Sequence, residues 1–257
     1  MFFLELSPIQ DGSFPRAARN LLNCPVPQLN PEKPMKLLII VPHPDDEVYG
    51  AAGTILDFIT EGFEVGLVTL TRGEAGRTLG LASSKEELAA LRAGPDGELR
   101  QCLVVLGITK HHQYAIPDGG VAEADFEAVL EIVTRHVEQY RPEIVLTFPP
   151  NGANGHRDHV ATHQIVHNAL ERLNRPCTLW YYAAPKEYML ELFAQKPELE
   201  SNYVAPNVFH EVTHRIGPKL RAISMHRSQA LSTIDFFRRF AERITLESYH
   251  QAYPALD

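Results

Sequence analysis

Two short clusters concentrate residues that could do acid–base or metal chemistry. The first, PHPDDE from Pro42 to Glu47, places one histidine and three carboxylic acids among two prolines. The second, GHRDH from Gly155 to His159, places two histidines around an aspartate more than a hundred residues later. Three adjacent acids repel one another unless a cation or a helix N-terminus holds them. Helix capping accounts for one such aspartate, not for a histidine and three acids together. Two histidines and one carboxylate form a ligand set suited to zinc, and a fourth position left to water makes such a centre catalytic. The plainer alternative for the second cluster is a pair of surface loop histidines. His163 and His167 follow at helical spacing and read as ordinary helix residues; the His111–His112 pair has no visible partner.

The elements around these clusters decide whether they can meet. KLLIIV, starting at Lys36, is a short apolar run ending at Pro42, as expected of a strand buried on both faces of a parallel sheet. YGAAGTILDFITEG reads as helix, FEVGLVTLT as a second buried strand, and RGEAGRTLGLASS as a polar loop. KEELAALRAG and ELRQCLVVLG read as helix interrupted at Gly94 and Pro95. The segment 125–142 is the best amphipathic helix, with Phe126, Val129, Leu130, Val133 and Val137 at helical spacing. EIVLTF is a further buried strand, TLWYYA another, and VATHQIVHNALERLN between them is helical. The last third reads as mostly helical, including KLRAISMHRSQ and FFRRFAERITLESY. Alternating strands and helices imply βαβ units and a Rossmann-like, three-layer α/β/α fold with a mostly parallel sheet. In such sheets ligands gather outside the carboxyl ends of the strands, where both clusters fall.

Residues 35–257 are long enough for a single α/β domain. Residues 1–34, with Pro25, Pro27, Pro31 and Pro34, read as an arm with one short helix over SFPRAARNLL, compatible with packing on a neighbouring copy in a homo-oligomer. With 24 Lys plus Arg against 32 Asp plus Glu, the net charge of −8 argues against nucleic acid or an anionic membrane as partner. Cys24, Cys102 and Cys177 make no CxxC and suggest inert thiols in a reducing compartment. The opening MFFLELSPIQDG lacks the form of a signal peptide, and no apolar run is long enough to span a bilayer. A soluble, cytoplasmic protein is the expectation.

PHPDDE near the start of a parallel α/β region, followed by HRDH, resembles the PIG-L/LmbE-like de-N-acetylase family. The resemblance spans roughly residues 36–230 and takes in TRGEAG (Thr71 to Gly76), ELRQCLVVLG (Glu98 to Gly107), PDGG (Pro117 to Gly120), RPEIVLTFPP and KLRAISMHRSQ (Lys219 to Gln229). It implies Zn2+ as cofactor on His43, Asp46 and His159, and Asp45 as general base. It further implies that His156 steadies the oxyanion and helps protonate the leaving amine, with Asp158 orienting it. Asp118 falls where the family contacts sugar hydroxyls, and His226 lies in a late motif near the pocket. Two departures stand out. Asn154 replaces a tyrosine found in some members, so that any oxyanion donor there would be an amide. Pro95 occupies the place of a substrate-binding arginine, leaving Arg92 as a displaced candidate.

The activity so implied is removal of the acetyl group from an N-acetylglucosamine unit, free or on a small aglycone, so that the partner is a small-molecule N-acetylated sugar or glycoconjugate. The alternatives are an amidase acting on a larger N-acyl or thiol-conjugate substrate, and a non-catalytic sugar- or nucleotide-binding α/β module. Against the nucleotide module, no GxGxxG or GxxxxGK[ST] follows a strand, and YGAAG has the wrong spacing. Against a degenerate sugar binder, His43, Asp45, Asp46, His156 and His159 are all intact.

Overall fold

The structure, a computed structural model, describes residues 35–255; the expected arm over residues 1–34, its short helix and Cys24 lie outside the described residues. Strand β1 (Met35–Val41) is the centre of the architecture. Its side chains alternate between two cores: Leu38 and Ile40 face one, Leu37, Ile39 and Val41 the other. A strand with no polar face must be covered on both sides, and helices do so here.

β1 is flanked by β2 (Glu64–Thr71) and β4 (Ile144–Thr147); β3 (Lys110–Ile116) lies outside β2, and β5 (Thr178–Tyr182) outside β4, all parallel. β7 (Leu246–Tyr253) and β6 (Val208–Glu211) extend the sheet antiparallel, giving the order β3-β2-β1-β4-β5-β7-β6. The sequential direction reverses between β1 and β4, which opens a crevice at their carboxyl ends. Both histidine–aspartate clusters sit there.

One face of the sheet is covered by α5 (Phe126–Tyr140) and α6 (Arg157–Arg172), the other by α2 (Ala52–Thr60), α4 (Glu98–Leu106) and α8 (Ile216–Met225). This is the three-layer α/β/α arrangement. Further helices are the short α1 (Asp46–Tyr49), α3 (Lys85–Ala93), α7 (Lys186–Gln195) and α9 (Ala230–Phe240).

Several elements differ from expectation. The helix expected over residues 49–62 is broken at Gly50–Ala51 into α1 and α2. A Cβ at Gly50 would stand 2.8 Å from Tyr182 Cδ1, so the chain turns there against β5. Residues 246–249, expected at the end of a helix, begin β7; α9 stops at Phe240 because Glu247, Ser248 and Tyr249 are claimed by the sheet and by buried Lys219. β3 and β6, the two edge strands, carry no apolar run and so give no strand signal in the sequence. In β3 only His112, Tyr114 and Ile116, at period two, are buried. Phe126 is exposed, while Val129, Leu130, Val133 and Val137 form the inner face of α5.

Candidate metal centre and active site

Beyond Val41 the chain turns sharply, and Asp45 adopts φ +110°, a conformation that costs any residue with a Cβ. Its neighbours hold it there. The Asp45 N–H donates to Glu47 Oε2 (2.9 Å), and Glu47 Oε1 lies 2.7 Å from His226 Nε2. Arg92 donates to the carbonyls of Gly73 (2.7 Å) and Pro44 (2.5 Å), and its Nη2 lies 3.5 Å from Asp45 Oδ2. The strained turn thus aims Asp45 and Asp46 in different directions, Asp46 back toward His43, whose N–H it accepts at 2.9 Å.

Beyond β4 the chain turns through residues 149–156 into α6. Gly152, at φ +65°, turns its carbonyl onto His159 Nδ1 (3.0 Å). That carbonyl can only accept, so the neutral ring carries its proton on Nδ1 and presents the Nε2 lone pair. His43 is fixed in the opposite sense. Its Nε2 faces two carboxylates, Asp118 Oδ1 at 3.1 Å and Asp158 Oδ2 at 3.2 Å, so the neutral ring, the form a cation would bind, carries its proton on Nε2 and has its lone pair on Nδ1.

Those two lone pairs and the Asp46 carboxylate meet. His43 Nδ1 is 3.3 Å from His159 Nε2, His43 Nδ1 is 3.3 Å from Asp46 Oδ2, and His159 Nε2 is 3.4 Å from Asp46 Oδ1. Tetrahedral zinc with bonds of ~2.0–2.1 Å requires ligand–ligand edges of about 3.3–3.4 Å. The donor set, the tautomers and the edges all fit a divalent cation. All three side chains are largely buried, and Phe148 stacks on His159 at 3.7 Å between centroids.

The local electrostatics follow. Burial works against a charged His43, yet Asp118, Asp158 and Asp46 outweigh it and hold the imidazole well above its ordinary pKa. Burial likewise pushes Asp46 up, but His159 and His43 prevail and hold it well below the carboxylate range. Asp45 has no such partner: burial pushes its carboxyl up to about 6, against the opposing pull of Arg92.

His156 caps α6, its Nδ1 accepting the Asp158 N–H (3.2 Å), so its Nε2 carries the proton. Burial, then His43 and His159, lower its pKa, and the neutral ring is a donor. Asp158 touches His156 through its backbone N–H, while its carboxylate accepts from His43 Nε2, Gly119 N (2.7 Å) and Val121 N (3.1 Å). His226 is relocated. It is buried behind Glu47 and does not line the cavity, so it supports the Asp45 turn. Arg92 and Asp118 line the cavity while holding protein groups: Arg92 the turn, and Asp118 the Ala75 N–H (2.9 Å) and His43. Asn154 is exposed at the rim, its Oδ1 accepting the His156 N–H (2.8 Å).

Among the described residues two other groupings could hold a cation, Glu47–Cys102–His226 and His43–Asp118–Asp158, and a third adds His156 to His43 and His159. In the first, Glu47 is already engaged by Asp45 N–H and His226. In the second the two carboxylates hold the His43 proton, and in the third His156 offers a proton rather than a lone pair.

The centre opens into a cavity of about 500 Å3. One end is walled by Ala75, Gly76, Arg92 and Asp118; the other by Tyr182, Phe236, Arg239, Phe240 and Arg243. Sequence reasoning missed Glu47 as the anchor of the turn, although its place in PHPDDE was the available signal. It also missed Arg243, which reads as one more charge on an amphipathic stretch. No helix of the described residues is long and apolar enough to cross a membrane.

Comparison with known proteins adds an independent line. The family model described as PIG-L, GlcNAc-PI de-N-acetylase, matches residues 38–170. A probable N-acetyl-alpha-D-glucosaminyl L-malate deacetylase 2 of Bacillus anthracis is 31% identical over 212 residues, covering 81% of this chain and 88% of the relative. A 1D-myo-inositol 2-acetamido-2-deoxy-alpha-D-glucopyranoside deacetylase of Mycobacterium sp. (strain JLS) is 29% identical over 194 residues, 67% of this chain; the chain spans 62% of that longer protein. Among solved structures, the 4-carboxy-2-hydroxymuconate hydratase GalB from Pseudomonas putida KT2440 aligns with a TM-score of 0.69 at 18% identity, covering 87% of this chain and 98% of that one. At that identity the likeness speaks to the fold alone.

Proposed function

The chain belongs to the PIG-L GlcNAc-PI de-N-acetylase family, and from that premise we propose that it is a zinc-dependent N-deacetylase acting on a small molecule that contains N-acetylglucosamine. The observation that carries the reading is the triangle of His43 Nδ1, His159 Nε2 and Asp46, three lone-pair donors facing one another at 3.3–3.4 Å with their outward nitrogens committed elsewhere. When bound there, zinc would supply Lewis acidity, lowering the pKa of bound water toward neutrality and polarising an amide carbonyl.

The protein's own groups do the rest. Asp45, outside the triangle and lining the same cavity, has a pKa raised to about 6 and is ionised at neutral pH, as a base requires. It takes a proton from water as the oxygen bonds to the amide carbon. The oxyanion accepts a hydrogen bond from His156 Nε2–H. The C–N bond then breaks as the proton passes from Asp45 to nitrogen, leaving the amine and acetate. The lowered pKa of His156 favours its part as a neutral donor to the oxyanion, from which place it also helps protonate the leaving amine. Asp158 keeps the His43 proton on Nε2, and Phe148 restricts water around His159. The relatives' named substrates, a glucosaminyl malate and a glucosaminyl inositol, make an N-acetylglucosaminide with a small polar aglycone the first candidate here.

The test is acetate release from N-acetylglucosamine and a panel of its glycosides by zinc-loaded protein. Turnover is expected on at least one glycoside, and a chain that binds zinc yet releases acetate from none contradicts the proposed substrate class.

A further inference from the structure

Away from the metal triangle, the cavity wall contains a buried cation that the protein does not neutralise. Arg243 is 9% exposed and lines the cavity. Among the described residues the only acceptor on its guanidinium is the Ser248 carbonyl, 3.2 Å from Nη2; Nε has none, and no carboxylate forms an ion pair with it. The nearby carboxylate, Glu247, is already engaged by Lys219 Nζ at 2.6 Å and by Thr54 and Gly53. A buried charge without a counter-ion is costly. Here it is also rigidly placed: Lys219 Nζ donates to the Arg243 carbonyl, and Nη2 stands 3.0 Å from where a Cβ on Gly50 would be.

Two more donors lie unpaired in the same wall, the Tyr182 hydroxyl and Arg239 Nε. Asp235 Oδ2 is 3.3 Å from Arg239 Nε, outside hydrogen-bonding geometry, and half exposed, so it leaves Arg239 only loosely balanced. At the opposite end the cavity's cation, Arg92, is already spoken for: it holds the Gly73 and Pro44 carbonyls and faces Asp45. A negative group on a substrate therefore finds an unclaimed guanidinium at the Arg243 end.

We propose that Arg243, assisted by Tyr182 and Arg239, forms a subsite at the β5/β7 end of the cavity for a carboxylate carried by the substrate. Guanidinium–carboxylate pairing is the chemistry such a site selects, through charge-assisted hydrogen bonds that a neutral group does not replace. The carboxylate belongs either to the aglycone or to the N-acyl group, and both would present the same chemistry to Arg243. The inference rests on the hydrolase reading for its substrate, while the subsite itself is a binding site and is open to measurement without turnover.

The experiment uses zinc-loaded wild-type protein and three pairs of probes. The first pair is an N-acetylglucosaminide with a carboxylate in its aglycone and the same compound as a carboxamide. The second is N-succinyl-glucosamine methyl glycoside and its terminal carboxamide. The third is succinate and succinamide, titrated calorimetrically. In at least one of the glycoside pairs the carboxylate is expected to be favoured by roughly 10- to 100-fold in kcat/KM, chiefly through KM; which pair shows it identifies the source. Arg243→Met should collapse that ratio and Arg243→Lys should restore part of it, whereas a merely structural arginine would lower both members of a pair alike. Parity within both glycoside pairs in the wild type, or equal losses in Arg243→Met, overturns the subsite. Should no compound be turned over, the hydrolase reading falls. The succinate titration then decides the subsite by itself: succinate binding that exceeds succinamide and is lost in Arg243→Met supports it, and equal binding overturns it.

Discussion

Two buried polar clusters stand on this sheet, each around a carboxylate, and they are finished differently. Around Glu247 the account closes: its carboxylate accepts from Lys219 Nζ (2.6 Å), Gly53 N (2.9 Å), Thr54 N (2.8 Å), Thr54 Oγ1 (2.7 Å) and Tyr249 Oη (3.1 Å). Charge meets charge and every lone pair has a donor, so the cluster ties α2, α8 and β7 together and asks for nothing further. Around Asp46 the account stays open. With both rings neutral, His43 and His159 commit their protons outward and three acceptors face inward; without a cation, an added proton on His43 fills the gap, as its raised pKa expresses. Burying acceptors against each other is unfavourable unless something positive enters. Buried polarity alone does not mark function; a cluster whose geometry lacks one partner does.

That contrast predicts where substitutions will strike. The largest effect is expected from Asp45→Asn, which leaves the triangle intact but removes the proposed base: acetate release should drop by about 10^2–10^4-fold with zinc content unchanged, and turnover at the native rate would sink the assigned role. Next comes Lys219→Met in the closed cluster. It strands Glu247 and should cost about 3–5 kcal/mol of stability, measured by denaturant unfolding, with zinc stoichiometry of the folded protein preserved. The double variant Lys219→Met, Glu247→Met should recover much of that loss; no recovery would mean the cluster's weight lies in packing rather than charge. Asp158→Asn should lower zinc affinity by about 10–100-fold through a loosened His43, and an unchanged affinity would return Asp158 to the side of His156. Smallest is Thr54→Val, which leaves Glu247 with fewer donors and should cost about 1–3 kcal/mol with no effect on zinc.

How much of this was readable from the residues divides along physical lines. β1, β2, β4 and β5 are legible because strands covered on both faces must be apolar throughout, and the two clusters stand at the ends of β1 and β4. Their meeting follows from parallel topology. β3 is not legible by the same rule, since its burial is one-sided and carried by His112 and Tyr114. β7 misleads because Glu247 at helical spacing from neighbouring charges looks solvent-facing, while the folded chain supplies Lys219. The partnership of Asp158 with His43 is hidden for a local reason: at the first turn of α6 adjacent side chains diverge, and the cap formed by His156 on the Asp158 N–H sends the carboxylate away from it. Arg243 is invisible in sequence because an unpaired charge becomes informative only when its burial is known.

The central claim is that the inward-facing triangle is completed by one divalent ion. Its most direct test is a zinc titration of metal-stripped protein, followed by calorimetry, for the wild type and Asp46→Ala. One tightly bound equivalent per chain, lost in Asp46→Ala while the fold persists, is the result expected. Saturable binding that survives that substitution undiminished, or no binding by the wild type, would contradict it.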